Sequence, residues 1–92
     1  MSEQETSAAV LAVSGNYAVV RLPNRVYPAL AVQGDSLKIL QEAIEELAGN
    51  LGSGDLEDAG FSLRQIQETV SSMLSTYESV ASEAGFDLPY VR

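Results

Sequence analysis

Between Leu63 and Ala84, apolar residues recur at three- and four-residue spacing: Leu63, Ile66, Val70, Met73, Leu74, Tyr77, Val80, Ala81 and Ala84. This period puts them along one side of an α-helix and obliges the chain to supply a second element that covers them. Both ends carry signals. Ser62 and Gln65 have the spacing of a capping box, and Phe61 is placed to staple onto Ile66. Gly85 offers the left-handed stop, with Phe86 set for the apolar contact that closes such a cap. A helix over residues 62–84 is therefore expected. Its outer side is rich in serine, at Ser71, Ser72, Ser75, Ser79 and Ser82.

The covering element should come from the first third, where β-branched and aromatic residues cluster in short runs. Residues 8–13 (AAVLAV) and 17–22 (YAVVRL) flank Ser14-Gly15-Asn16, the pattern of a hairpin closed by a Gly-Asn turn. Pro23-Asn24 marks a second turn, and a third extended run spans 26–32. Pro28 within it has no N–H to donate, which places that strand at an edge or gives it a bulge. Strands are thus expected over 8–32. Leu37, Leu40, Ile44 and Leu47 then predict a helix over 36–48, capped by Asp35 or Ser36 and stopped by Gly49. Residues 49–61, with four glycines and three acids, read as an acidic Gly-rich loop. Residues 1–7 read as a disordered N-terminus and 85–92 as an extended tail. No internal repeat or sustained heptad is read. The expected fold class is α+β, a two- or three-stranded antiparallel sheet followed by a two-helix hairpin packed on one face.

With 92 residues and 46% hydrophobic content, the chain suits one domain with a modest core. Charge restricts its partners. Thirteen acidic side chains against five basic ones give a net charge of −8, which repels nucleic acid and anionic membrane surfaces. Residues 6–38 hold Arg21, Arg25 and Lys38 against Asp35 alone, so the negative field belongs to the later residues. No apolar stretch approaches the ~20 residues needed to cross a bilayer. The acidic, polar start lacks the charge and apolar run of a secretory signal, and a cytoplasmic location is expected.

The chain has neither Cys nor His, which removes thiolate nucleophiles, disulfides and the commonest general base. Gly34-Asp35-Ser36-Leu37 has the letters of an esterase signature, yet a Ser36 nucleophile would need a base to take its proton. A helix start explains those residues more simply. Asp55-Leu56-Glu57-Asp58 could suggest calcium, but Ala59 stands where the next oxygen ligand should be. Gly49, Gly52 and Gly54 lack the Lys of a phosphate-binding loop. Glu42 and Glu46, at i and i+4, read as solvated charge. No catalytic residue, no cofactor and no metal is expected.

Residues 16–28 (NYAVVRLPNRVYP) together with 32–37 (VQGDSL) resemble a small bacterial domain family of unknown function, and proteins of this appearance look like immunity partners in interbacterial toxin systems. The resemblance implies a chain that binds a cognate toxin and blocks it. Combined with the charge, it leads to the expectation of a non-catalytic inhibitor that occludes a basic active site, such as the nucleotide-binding cleft of a nuclease. Glu42, Glu45, Glu46, Asp55, Glu57 and Asp58 would meet that site, with Tyr90 as an aromatic contact. The alternative is a regulatory or scaffolding module that homodimerises through a sheet edge or the serine-rich side of the last helix.

Overall fold

The β-rich run folds as its turn residues dictate. In the computed structural model, which describes residues 7–92, β1 (Ala9–Ser14) and β2 (Tyr17–Arg21) form an antiparallel hairpin with Ser14 opposite Tyr17. Gly15 sits at φ 59, a conformation open to glycine at the first position of a two-residue turn. The register slips between Val10 and Ala12, so Leu11 is an extra residue. This bulge lets the consecutive Leu11 and Ala12 both be half-buried, which strict alternation forbids. β3 (Ala29–Val32) completes an antiparallel sheet ordered β1-β2-β3. It begins only after Pro28, three residues later than the apolar run suggests, and it lies at the edge where a proline-bounded strand belongs. Asn24 takes a left-handed φ of 60 in the preceding turn. All but Ser7 of the expected disordered N-terminus, 1–7, lies outside the described residues.

Two helices follow, both longer than their periodicity suggests. α1 spans Gly34–Ser53 and α2 spans Leu56–Glu83. The segment 49–61 is therefore not a loop. Only Gly54 and Asp55 separate the helices. Gly54 stops α1 at φ 78, with its N–H donating to the Leu51 carbonyl at 3.2 Å and the Asp55 N–H to the Asn50 carbonyl at 2.9 Å, a Schellman closure. Asp55 then caps α2, accepting the Asp58 N–H on Oδ1 at 3.1 Å. Ser62, whose capping-box spacing predicts the start of the helix, lies instead inside it and is 1% exposed. α1 is capped by Gln33 without a side-chain bond, while Asp35 accepts the Ser36 N–H at 2.8 Å within the first turn.

Glycine inside helices costs backbone entropy, and neither Gly49 nor Gly52 has a heavy atom within 4 Å of where a Cβ would stand. Alanine at either position is expected to raise stability by about 0.5–1 kcal/mol. Gly54→Ala, forced into the left-handed region, should lower it by about 1–2 kcal/mol. Thermal melts that gave all three the same sign would refute this account of the turn.

The described residues form two compact units rather than one uninterrupted body. The first joins the strands up to Ala31 with Ser75–Arg92, so the sheet packs against the end of α2. Its core is small: Val19, Tyr77 and Ala81, with Pro28 also buried. Tyr77 reaches out of α2 to donate its hydroxyl to the Pro28 carbonyl at 2.7 Å. Arg21, at the end of β2, lies 5.7 Å from the ring centre of Phe86. α2 closes at Gly85, φ 81, with Phe86 N–H donating to the Ala81 carbonyl at 2.9 Å.

The second unit, Val32–Leu74, holds α1 and the first part of α2 in contact. Its half-buried or buried positions are 36, 40, 43, 47 and 50 on α1 and 59, 62, 66, 69 and 73 on α2. These mirror one another about the Gly54-Asp55 turn: Asn50 with Ala59, Leu47 with Ser62, Ala43 with Ile66, Leu40 with Thr69, Ser36 with Met73. Counted from the turn, a small residue on one helix in each case corresponds to a larger one on the other, the complementarity a helix pair can use. The expected buried face of α1 is corrected by this pattern. Leu37 and Ile44 are exposed at 59% and 47%, and no residue of α1 is fully buried.

Candidate protein-binding surface

An α-helix turns by about 100° per residue, so a contact seam fixes the direction of every other side chain. Taking the seam above as reference, Glu42 and Glu46 of α1 and Asp58 of α2 point to one side of the helix pair. Asp55 adjoins them at the turn. Asp58 feels its neighbours: its carboxyl is pushed above its ordinary 3.8 chiefly by the hydrogen bond and negative charge of Asp55 and, more weakly, by Glu46. A raised acid favours its protonated form. The stability associated with Asp58 is present below pH 3.8 and lost as pH rises through the raised value. Among the described residues the ion pair formed is Arg92 with Glu78, and none of the hairpin acids takes part in one.

Glu45 and Glu57 point outward, along the outer edges of α1 and α2, rather than into this cluster. All six of these acids are exposed. Tyr90 belongs to the other unit and is engaged there. Its ring lies 6.4 Å from that of Tyr77, and its hydroxyl donates to Glu78 Oε2 at 3.1 Å. Loss of hydration and then the Glu78 hydrogen bond raise its phenol above 10.0. Tyr90 therefore pins the tail to α2, together with Arg92, whose guanidinium meets Glu78 Oε1 at 3.4 Å. A groove of about 760 Å³ runs between this tail and the α2 serines Ser75, Ser79 and Ser82.

The side of the helix pair opposite Glu42, Glu46 and Asp58 corrects the expected stripe of the last helix as well as that of α1, because Leu63, Val70 and Leu74, expected to be covered, are exposed. There Leu37, Ile44 and Leu51 of α1 lie at seven-residue intervals, exposed at 59%, 47% and 56%. Leu56, Leu63 and Val70 of α2 do the same, at 74%, 44% and 40%, with Leu74 beside them. Of these residues only Leu51 and Leu56 fall in the segment expected to be a loop; the others lie in the expected helices, on the stripes expected to be buried.

Regarding chemistry, Ser36 is half-buried in the first turn of α1 and faces no imidazole, since the chain has none. No three acidic side chains converge among the described residues as a metal site would require. No described helix is long and apolar enough to cross a membrane.

These observations define a small α+β protein whose most developed surface is a helix pair, apolar on one side and carrying the acids, with exposed Ile39 and Phe61 among them, on the other. The chain belongs to a family of unknown function, DUF6959, whose pattern matches residues 3–90 and so extends far beyond the segments that carried the resemblance. No curated protein and no solved structure matches it.

Proposed function

We propose that this chain is a non-catalytic protein-binding inhibitor, which presents the acidic side of its helix pair to a basic surface on a partner protein. The observation that carries this reading is the row of exposed acids Glu42, Glu46, Asp55 and Asp58 along one side of the helix pair, none of which takes part in an ion pair among the described residues. A one-signed field of this kind speeds encounter with a surface of opposite potential and fixes its orientation. The finer form of the proposal is an immunity protein that occludes the nucleotide-binding cleft of a bacterial toxin, a nuclease above all. The absence of His and Cys supports binding over turnover. Tyr90 is dropped from the contact set, because the tail uses it. Glu45 and Glu57 flank the contact and act on association rate.

Co-expression with a toxin encoded beside its gene tests the proposal. The wild-type chain is expected to restore growth, and the triple substitution Glu42→Lys, Glu46→Lys, Asp58→Lys to abolish protection. With purified proteins at low salt, the association rate should fall by about tenfold or more. Binding and protection unaffected by these reversals would end the acidic-face reading. Turnover of a substrate by the purified chain, lost on a single substitution, would end the non-catalytic one.

A further inference from the structure

The apolar rows on the other side of the helix pair have no role in that proposal. We infer that they are a self-association surface, on which a second copy of this chain seats its own helix pair to make a four-helix bundle. Three observations select a second copy.

The first is spacing. Leu37, Ile44 and Leu51 on α1 and Leu56, Leu63 and Val70 on α2 repeat every seven residues, the period that lets two helix pairs interdigitate along their length. The second is charge. Each copy carries −8, so two copies repel wherever their acids meet. Glu42, Glu46 and Asp58 lie on the far side, and the positions flanking the apolar rows are Gln41, Ala48, Gly60 and Gln67, all uncharged. This side is the one through which an acidic chain can approach its like. The third is area. Covered completely, side chains at these exposures would bury on the order of 1,000 Å² between two copies, the small end of specific interfaces. A contiguous apolar patch at the upper end of what a monomer shows commonly marks an interaction surface.

The bundle would turn both acidic sides outward, giving two identical partner surfaces. It also replaces the contacts expected from sequence: the sheet edge, and the serine side of α2, along which the tail already lies.

Sedimentation over a concentration series is the test. The wild-type chain should approach twice its 9.8 kDa mass. Leu63→Glu, at a position already 44% exposed, should keep its helical circular dichroism while association weakens on the order of 100-fold. Ile39→Glu, 66% exposed and on the acidic side, should leave association unchanged. Because the chain has no cysteine, introduced thiols report the contact independently. An oxidised mixture of Ile44→Cys and Leu63→Cys chains should yield covalent dimers whichever helices meet, and Gln65→Cys should not. Monomer mass at every concentration would overturn the inference, as would a dimer indifferent to Leu63→Glu or one that cross-links equally well through Gln65→Cys. None of these results bears on the acidic side, whose test uses different residues and a partner protein.

Discussion

Tyr77→Ala is expected to unfold the sheet-bearing unit, at a cost of about 3–5 kcal/mol. Tyr77 is 6% exposed, in a unit whose other buried apolar side chains are Val19, Ala81 and Pro28, so no neighbour of its size can fill the space. Its removal also strands the Pro28 carbonyl, buried and bonded to the tyrosine hydroxyl at 2.7 Å. A domain of this size has only about 5–15 kcal/mol of stability in all, so the loss should be visible as disappearance of the near-ultraviolet dichroism. Tyr77→Phe separates the two contributions. The ring remains, the carbonyl loses its donor, and the cost should drop to about 1–2 kcal/mol, or on the order of 5–10 °C in Tm.

The same hydroxyl predicts a pH dependence. Burial, and to a lesser degree Tyr27, raise the Tyr77 phenol above 10.0. A raised folded value means that the stability it confers is complete below about pH 10 and is lost as pH climbs through the folded value. Tyr77→Phe should therefore lose less stability than wild type across that alkaline window. Equal alkaline slopes in the two proteins would show that the Pro28 bond does not hold the unit together.

How much of this was legible beforehand differs with the range of the interaction that decides each element. The β1-β2 hairpin was readable because its turn is local: Gly15 supplies the positive φ between two β-branched runs. The stop of α2 at Gly85 was readable for the same reason. The two-residue connection was not, since Gly49, Gly52, Gly54 and Gly60 look alike in sequence while only Gly54 takes the left-handed conformation. Three of the four are helical despite their weak propensity, carried by the helices that run through them. The misplaced start of α2 follows directly. Ser62 carries a capping signal, but Asp55 seven residues earlier has a better one, with its carboxylate on the Asp58 N–H.

The buried side of α1 was displaced for a related reason. Hydrophobicity alone ranks Leu37 and Ile44 as core, whereas close helix contact selects Ser36, Ala43 and Asn50, which are small or polar. Of the site residues, the acids were legible by composition, and the grouping of Glu46 with Asp55 and Asp58 depended on the unread turn. Tyr90 is exposed, as a contact residue would be, but its hydrogen bond to Glu78, twelve residues away in sequence, could not be read there.

Ser62→Leu tests the helix seam most directly. Ser62 is 1% exposed, and its mirror position across the turn is Leu47. A leucine there has no free volume to enter, so it should force the helices apart at a cost of about 1–3 kcal/mol. Ser62→Ala, which adds no bulk, should cost well under that. Register is the sharper question, and Leu47→Ala answers it. Alone it opens a cavity and destabilises; combined with Ser62→Leu it exchanges large for small across one layer. The double mutant is expected to recover much of the summed loss, a coupling of about 1–3 kcal/mol between residues fifteen apart in sequence. Strictly additive costs in urea melts would mean that these two side chains do not share a layer. The mirror pairing about Gly54-Asp55 would then be wrong, and with it the placement of the acidic and apolar sides on opposite flanks of the helix pair.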